Sequence, residues 1–231
     1  MSPTAPEVSV IIPVYNGEKY LAESIQSALA QEHAAIEILV VDNGSTDGTP
    51  SVAGAFPTIR YLRLQERGLA KALNRGVEQS GSRFVAFLDA DDLWEPNKLV
   101  KQLEALARSP ATDMVFGHIE QFISPELPDP IKARLSIRDK RLPGRVKSTL
   151  LIRRESFWKV GAFEENTNFA DFIEWYMRAM EQGLQELMLP DTLTLRRIHG
   201  ANYGYTDRDK RIEYVRVIKR GLDRRRRLRD A

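Results

Sequence analysis

The sequence predicts an α/β protein whose central, mostly parallel sheet is covered by helices on both faces. Four short apolar runs in the first half indicate buried strands, and segments with helical spacing of apolar residues lie between them. Strands that are continuously apolar, rather than alternating, are typical of parallel sheets covered on both sides. Together these patterns indicate a Rossmann-like three-layer sandwich, an architecture suited to nucleotide binding.

The first half alternates strands and helices. The predicted strands span residues 8–14, 36–41, 59–64 and 84–88. Apolar residues at helical spacing predict helices over 18–31, shortly after Asp47, and from Leu69 to Val77. Pro96 suits the start of a further helix, whose buried stripe runs from Leu99 to Ala107.

The second half is less regular. The predicted strands span 113–117, 148–153 and 192–198. We predict a helix from Phe172 to Gln182 that stops at Gly183, and a terminal helix over 207–229. Residues 124–145 hold four prolines and several basic residues without clear periodicity, which indicates a functional loop with at most one helical turn.

Composition excludes several classes of protein. The 231 residues have a formal net charge of only +2, which gives no support to a general nucleic-acid-binding role. Cysteine is absent, so disulfides and thiolate metal sites are excluded. We see no secretory signal and no apolar stretch near the ~20 residues of a membrane span. We therefore expect a cytoplasmic protein that is at most peripheral to the inner face of a membrane.

Two acidic sites follow predicted strands. Asp89, Asp91 and Asp92 come directly after the fourth strand, and the segment 42–47 follows the second. Crowded carboxylates repel one another, and a divalent cation such as Mg²⁺ or Mn²⁺ would neutralise them while binding substrate phosphates. Ligands of open parallel sheets bind outside the carboxyl ends of the strands. Both acidic sites therefore point to one crevice.

Four strings, in order and spacing, resemble the family 2 glycosyltransferases, which are inverting enzymes with the GT-A fold. They are VSVIIPVYN at 8–16, VVDNGSTD at 40–47, the glycine-led segment 68–76 and FLDADD at 87–92. In the second string Asn43 replaces an Asp of the family's usual VDDGSTD. The resemblance covers roughly residues 8–205, and four ordered strings are far more specific than one.

The resemblance implies roles for the matching residues. It implies that the nucleotide and its sugar are bound by Pro13, Tyr15, Glu18, Gly68, Lys71, Asn74 and Ala90. It further implies that Asp42 accepts hydrogen bonds from the base, that Asp89 contacts the ribose and donor sugar, and that Asp91 ligates the metal bridging the diphosphate. Asp42 as a turn or cap residue, and Asp92 as the cap of the following helix, are the alternatives.

His199 follows the last predicted strand in the string Arg196-Arg197-Ile198-His199. Because the family often has an Arg-Ile-His string here, the resemblance implies that His199 is a further metal ligand. A structural or solvated histidine is the alternative. One of the two arginines could reach a phosphate, the other being a surface residue. His33 and His118 lack such a context, and we interpret them as structural.

The match to the family loosens at the catalytic base. Inverting transfer needs a carboxylate that deprotonates the acceptor, and the family usually places a Glu-Asp pair at the start of a helix. Here Asp171 takes the place of the Glu and Phe172 that of the Asp. We expect Asp171 to be the base, with Glu174 on the same helix face as the second candidate. A helix cap for Asp171 and a solvated face for Glu174 are the alternatives.

We therefore expect a metal-dependent inverting enzyme that transfers sugar from a nucleotide-sugar to an acceptor hydroxyl in polysaccharide or glycoconjugate biosynthesis. The expected donor is a UDP-sugar before a GDP- or dTDP-sugar, and the acceptor is a saccharide, a lipid-linked or a peptide substrate. Within a domain over 1–206, residues 1–110 would bind the donor and residues 111–206 the acceptor.

Three rival hypotheses remain. A phosphatase-type enzyme would carry its Asp-x-Asp after an early strand, and here the pair follows the fourth. A sugar-nucleotide pyrophosphorylase would need a glycine-rich basic loop after the first strand, which Val14-Tyr15-Asn16-Gly17 does not supply. A degenerate nucleotide-sugar-binding protein without activity is favoured only by Phe172 at the expected base position.

The terminal segment 207–231 is a basic helix. It carries Arg224 to Arg227 and Arg229, with Val215, Ile218 and Leu222 on a partial apolar face. Such a helix suits an anionic membrane surface, where lipid-linked acceptors reside. A solvated charged helix end or a contact with a partner protein is the alternative.

Overall fold

The structure, a computed structural model, describes residues 6–32, 35–135, 137, 139–167, 170–199 and 208–229, and of the last range the side chains of 214–224. The interpretations of His33 and of the side chains of Arg225, Arg226, Arg227 and Arg229 fall outside this part of the chain. Within it, no helix combines the length and the hydrophobicity that a membrane span requires.

Nine strands among the described residues form one mixed sheet. They are β1 (Val8–Val14), β2 (Ile36–Asp42), β3 (Arg60–Arg63), β4 (Phe84–Phe87), β5 (Leu93–Trp94), β6 (Met114–Ile123), β7 (Arg141–Gly144), β8 (Leu151–Arg153) and β9 (Glu186–Ile198). Their order across the sheet is β3-β2-β1-β4-β8-β6-β9-β5, with β7 also paired to β6. β1 to β4 run parallel, β8 runs antiparallel to β4 and β6, and β9 runs parallel to β6. β5 and β7 run antiparallel to β9 and β6. Six of the nine described strands thus share one direction, so the sheet is mostly parallel, as predicted.

The helices of the described residues connect these strands. They are α1 (Leu21–Leu29), α2 (Thr49–Gly54), α3 (Leu69–Gln79), α4 (Lys98–Arg108), α5 (Asp129–Lys132), α6 (Arg154–Val160), α7 (Asp171–Glu181) and α8 (Arg208–Arg229), with a 3-10 turn at Lys147–Thr149. Gly183, with a φ of 77°, follows the end of α7 as predicted, because its left-handed backbone cannot continue the helix.

Helices cover both faces of the sheet. One apolar core joins α1, α2 and α4 to the side chains of Val8, Val10 and Ile12 on β1. The other joins α3, α6 and α7 to Ile11 and to neighbouring strands. Because successive side chains of a strand point to opposite faces, a strand buried on both sides is apolar at most of its positions. The three-layer arrangement predicted from the sequence is confirmed.

Several element predictions need correction. The helix predicted from residue 18 begins at Leu21, and the one placed at Pro96 begins at Lys98. The segment 124–145 contains not only the helical turn α5 but also β7, which pairs with β6. α6 was not predicted, and β6 and β9 are longer than expected. Most residues of these strand extensions are half-buried, and their pairing joins distant segments, so local periodicity does not reveal them.

Lys98 is completely buried at the start of α4. Its Nζ donates to Oε1 of Gln102 at 2.8 Å and lies 4.0 Å from the ring centroid of Trp94. Burial lowers the pKa of Lys98 well below its ordinary value of 10.5. The unfolded chain therefore binds a proton here more readily than the folded protein. As a result, this residue adds stability as the pH rises towards 10.5, and that stability is lost as the pH falls towards the lowered native pKa.

We expect Lys98→Met to remove this pH dependence. Between pH 7 and 10, the free energy of unfolding of the wild type should rise relative to that of the variant, by up to about 1.4 kcal/mol per pH unit. Denaturant titrations of both proteins at several pH values measure the difference. Lys101→Met, on the same helix with a side chain 34% exposed, is the control and should follow the wild type. A difference that does not change with pH would contradict a lowered native pKa.

Candidate active site

Hydrogen bonds join the two loops that follow β1 and β2. Asn16, whose φ of 50° is left-handed, donates its backbone N–H to Ser45 Oγ at 2.9 Å, and its Oδ1 accepts the N–H of Thr46 at 2.8 Å. Glu18 Oε2 accepts the N–H of Gly48 at 2.6 Å. The two loops therefore form one connected rim, residues 16–18 and 45–48, at the carboxyl edge of the sheet. The sequence predicts that a ligand binds at this edge.

Two further residues expected at the nucleotide pocket lie on or under this rim. Pro13 is buried in β1 opposite Val41. Tyr15 is 38% exposed, and the guanidinium carbon of Arg67 lies 3.8 Å from its ring centroid. An arginine over an aromatic face is held by the electron density of the ring. The Tyr15–Arg67 pair therefore gives the rim a flat, cationic surface.

Asp42 ends β2 and is completely buried. Its Oδ1 accepts the N–H of Ser45 at 2.7 Å, and its Oδ2 accepts the hydroxyl of Tyr61 on β3. Burial, and then the bond to Asp42, raises the pKa of Tyr61. Asp42 thus stabilises the turn after β2 and links it to β3. Its contact with a nucleotide base stays a prediction. No motif or spacing in the sequence predicts this role for Tyr61.

The start of α3 is tied to the same rim. The N–H of Gly68 donates to Oδ1 of Asn43 at 2.6 Å, so the amide that replaces the family's usual Asp links the loop after β2 to α3. Lys71 lies one turn further on, where its Nζ pairs with Glu66 at 2.6 Å on the surface. Gly68 and Lys71 are thus near the expected donor position.

The turn after β4 holds the acidic cluster. Asp89 and Asp91 are half-buried and Asp92 is 3% exposed. Asp92 Oδ1 accepts the backbone N–H of Arg197 at 3.1 Å. Burial, followed by the charges of Asp91 and Asp89, raises the pKa of Asp92 well above its ordinary value. Asp92 therefore anchors the end of β9 and does not cap α4, which begins after Asn97.

Arg197 joins several elements beneath the acidic turn. It is 2% exposed, and its guanidinium bonds to the carbonyl oxygen of Asp91 at 3.0 Å, to Ser124 Oγ at 3.1 Å and to Glu23 Oε2 at 2.7 Å. Its role is therefore to fix the turn. Arg196, by contrast, has an exposed side chain, which makes it the arginine that could reach a phosphate.

The side chains of Asp91 and His199 meet. His199 follows β9 directly, and its Nε2 lies 3.0 Å from Asp91 Oδ2. Carboxylate oxygens suit Mg²⁺ and Mn²⁺, and imidazole is a common metal ligand, so this pair fits a divalent cation. No group of three or more potential ligands is found among the described residues, so substrate and water would complete the coordination.

Asp171, at the first position of α7, lies in a buried ion pair. The Nζ of Lys147 is 2.8 Å from Asp171 Oδ2, with the two side chains only 11% and 3% exposed. Burial lowers the pKa of Lys147, but the charges of Asp171 and Asp89 outweigh burial and raise it, so the lysine stays protonated. Burial also raises the pKa of Asp89, opposed by Lys147. The ammonium of Lys147 thus acts on carboxylates of both the acidic turn and α7.

Sequence reasoning missed Lys147. It follows the basic segment 124–145 but begins no motif. The only local pattern at Lys147 is a single basic residue directly before a predicted strand. This pattern does not predict a functional role unless the spatial neighbours of the residue are known.

Two candidates from the sequence are placed outside this cluster. Asn74 is buried and exchanges two hydrogen bonds, of 3.0 and 2.9 Å, with the backbone of Phe163. Glu174 binds Arg178 Nε at 2.8 Å and lies 3.7 Å from Arg224 on α8. Asn74 thus joins α3 to the segment after α6, and Glu174 faces α8. The structure brings neither of them to Asp89 and Asp91.

Phe172, at the position of the family's usual Asp, belongs to the core. Its ring lies 6.1 to 6.5 Å from the rings of Phe116, Trp175 and Tyr176. An aromatic side chain here fills space beneath α7 and leaves Asp171 as the carboxylate at the start of the helix.

Comparison with known proteins identifies the class. The model of glycosyl transferase family 2 matches residues 9–161. An uncharacterized glycosyltransferase of Rickettsia typhi is 34% identical over 186 residues, 74% of this chain and 58% of that protein. The succinoglycan biosynthesis protein ExoO of Rhizobium meliloti is 36% identical over 102 residues, 43% of this chain and 29% of that protein. These matches place the chain in the glycosyltransferase class.

It belongs to glycosyltransferase family 2, although it spans less than two thirds of these relatives' length. Solved structures show the fold. S. aureus TarS 1–349 with UDP-GlcNAc aligns with a TM-score of 0.69 at 20% identity, covering 91% of this chain and 65% of that one. Mannosyltransferase PcManGT of Pyrobaculum calidifontis, with GDP-Man and Mn²⁺, aligns with 0.66 at 23% identity, covering 97% and 65%. The predicted GT-A fold is confirmed.

Proposed function

We propose that the protein is a metal-dependent inverting glycosyltransferase that moves a sugar from a nucleotide-sugar to an acceptor hydroxyl in polysaccharide or glycoconjugate assembly. One observation carries the proposal: the Asp91–His199 pair and the Asp171–Lys147 pair are both close enough to Asp89 for the charges of Asp91, Lys147 and Asp171 to act on its carboxylate. A metal-binding group and a candidate base thus share a crevice. The name of ExoO, a succinoglycan biosynthesis protein, supports the product class.

For the donor we propose a UDP-sugar, with GDP- and dTDP-sugars as alternatives. Proteins of similar fold were solved with UDP-GlcNAc and with GDP-Man. The donor would lie over the rim, within residues 1–110, and a saccharide, lipid-linked or peptide acceptor would enter from the side of residues 111–206. The residues proposed to line the donor site are Pro13, Tyr15, Glu18, Asp42, Gly68, Lys71, Asp89 and Ala90.

Asp91 and His199 would hold Mn²⁺ or Mg²⁺, which stabilises the charge of the departing nucleoside diphosphate. Asp171 would act as the general base, since the N-terminal end of α7 favours a negative charge. It takes the proton of the acceptor hydroxyl while that oxygen bonds to the anomeric carbon. The bond from this carbon to the phosphate oxygen breaks, and its electron pair leaves with the nucleoside diphosphate. Attack opposite the leaving group inverts the anomeric centre.

We expect Asp91→Ala to abolish metal-assisted donor binding while the fold stays intact, because the change relieves carboxylate repulsion. Calorimetry of UDP binding with Mn²⁺ and with EDTA measures the loss. His199→Ala should have a weaker effect, since water can replace one ligand. The control is Asp129→Ala, whose carboxylate on α5 is fully exposed. Unchanged affinity for UDP and Mn²⁺ in Asp91→Ala would refute the metal assignment.

We expect Asp171→Asn to lower turnover by roughly 10²- to 10⁴-fold with unchanged donor affinity, because the base contacts the acceptor and not the diphosphate. Asp191→Asn, at a matched but more exposed lysine–aspartate pair, is the control and should keep full activity. Full activity in Asp171→Asn together with an inactive Glu174→Gln would assign the base to Glu174. Nucleotide-sugar binding without turnover in the wild type would instead favour a binding protein.

We also propose that α8 lies on an anionic membrane surface, on the cytoplasmic side. Residues 208–229 contain eleven Lys and Arg against three Asp and Glu, whereas the rest of the chain contains 23 against 29. Anionic lipids attract such a basic segment, and they repel a protein body of negative net charge. This charge distribution therefore orients α8 towards the lipid.

The two faces of α8 differ. One face packs on α7, where Val217 is buried and Arg224 Nε bonds Glu181 Oε2 at 2.6 Å. The opposite face exposes three apolar side chains about one turn apart, Val215, Ile218 and Leu222. Basic Lys219 lies beside this stripe with an exposed side chain. An apolar stripe bordered by basic residues is typical of helices at membrane interfaces.

We expect the full chain to co-sediment with vesicles that contain phosphatidylglycerol and not with pure phosphatidylcholine vesicles. Lys219→Glu should weaken binding by roughly 5-fold or more, and Lys159→Glu on α6 is the control. Ile218→Gln should weaken it too, whereas Leu29→Gln, at a residue of α1 equally exposed at 42%, should not. Equal binding to both lipids, or Ile218→Gln bound as tightly as the wild type, would contradict the proposal. So would a chain that dimerises through this face without binding lipid.

A further inference from the structure

We infer that Lys147 is a positioning residue, which holds the carboxylate of Asp171 beside the donor-sugar position for proton transfer. The inference rests on the proposed function, since it concerns how the base of that reaction is held. Lys147 itself contacts neither a motif residue of the rim nor the Asp91–His199 pair in the contacts described above.

The geometry singles out this lysine. Its 3-10 turn comes directly before β8, the strand that pairs with β4, and the acidic turn follows β4. The ammonium therefore approaches Asp171 on α7 from the sheet side, with Nζ and Oδ2 2.8 Å apart. Asp89 is the second carboxylate whose charge acts on it. One cation thus pairs with the carboxylate expected to take the acceptor proton and is also within the range of charge of the carboxylate expected at the donor sugar.

Burial distinguishes this pair from an ordinary surface ion pair. Lys101 and Asp191 approach equally closely, at 2.6 Å, but their side chains are 34% and 36% exposed. The side chains of Lys147 and Asp171 are 11% and 3% exposed. A buried ion pair often gives no more stability than apolar residues of the same volume, so stability alone does not account for it. We therefore attribute the burial of this pair to its role in fixing the orientation of the Asp171 carboxylate in the site.

The proposed action is mechanical and electrostatic. With Oδ2 bound to the ammonium, the rotation of the Asp171 carboxylate is fixed, and we assign proton acceptance to Oδ1. Loss of this restraint would leave Asp171 chemically intact but misplaced, and a misplacement near 1 Å can reduce a rate by about 100-fold. If Lys147 instead bound the donor diphosphate, its removal would weaken donor binding and not turnover alone.

A double-mutant cycle of Lys147→Met and Asp171→Asn tests the inference. In the wild type, Lys147→Met should reduce kcat by about 10- to 100-fold with the Kd of the nucleotide-sugar unchanged. In the Asp171→Asn background, the same change should alter kcat by less than about 2-fold, because its target is already gone. Lys101→Met is the matched control and should keep wild-type kinetics. In the double variant, residue 171 is uncharged, so no buried carboxylate loses its partner. The comparison of the double variant with Asp171→Asn can therefore be made even if Lys147→Met alone does not fold.

Each other outcome overturns the inference in a recognisable way. Additive effects of the two changes would show that Lys147 does not act through Asp171. A raised donor Kd with unchanged kcat would make Lys147 a donor-binding residue. A lowered melting temperature with unchanged kinetics would make it purely structural. A wild-type protein that binds and turns over no nucleotide-sugar would overturn the proposed function itself, which these three outcomes leave standing.

Discussion

The concentration of carboxylates at one edge of the sheet is the constraint on which the rest of the site depends. Asp89, Asp91 and Asp92 follow β4, and α7 adds Asp171 to the same crevice. Like charges at short range in a poorly hydrated crevice repel strongly, so each must gain a cation or hydrogen-bond donors. The protein meets this need with Lys147, whose positive charge acts on Asp171 and Asp89, and with the backbone N–H of Arg197, which Asp92 accepts.

These compensating groups all come from the second half of the chain. The bond from Arg197 to Asp92 joins residues 105 positions apart, and the one from His199 to Asp91 joins residues 108 apart. Both donors lie at or just past the end of β9, which reaches the acidic turn because it runs parallel to β6 in the shared sheet. The two halves of the chain are therefore not independent modules. The first half carries the acidic turn, and the second half supplies the groups that bind its carboxylates.

The same separation explains what the sequence predicts and what it does not. β1, β2 and β4 are largely apolar runs, and the motifs after them lie at strand ends. The fold and the acidic site therefore both follow from local patterns. β7 contains Pro143 and depends on pairing with β6, so the loop interpretation of this segment is wrong. Lys147 and Tyr61 gain their roles only from partners far along the chain. A lone lysine or tyrosine has no meaning in sequence until those partners are in place.

α7 contacts both the proposed catalytic site and the helix proposed to bind the membrane, α8. Its first residue, Asp171, faces Lys147 and the acidic turn, while Glu174 and Glu181 both face Arg224 on α8. Gly221 allows the close approach of the two helices, because a Cβ there would lie 2.0 Å from Cε of Met177. Glu174, the second candidate for the catalytic base, is thus part of the contact between α7 and α8. If α8 binds a membrane through its outer face, its contact with α7 would hold the start of α7 at a fixed orientation to the lipid.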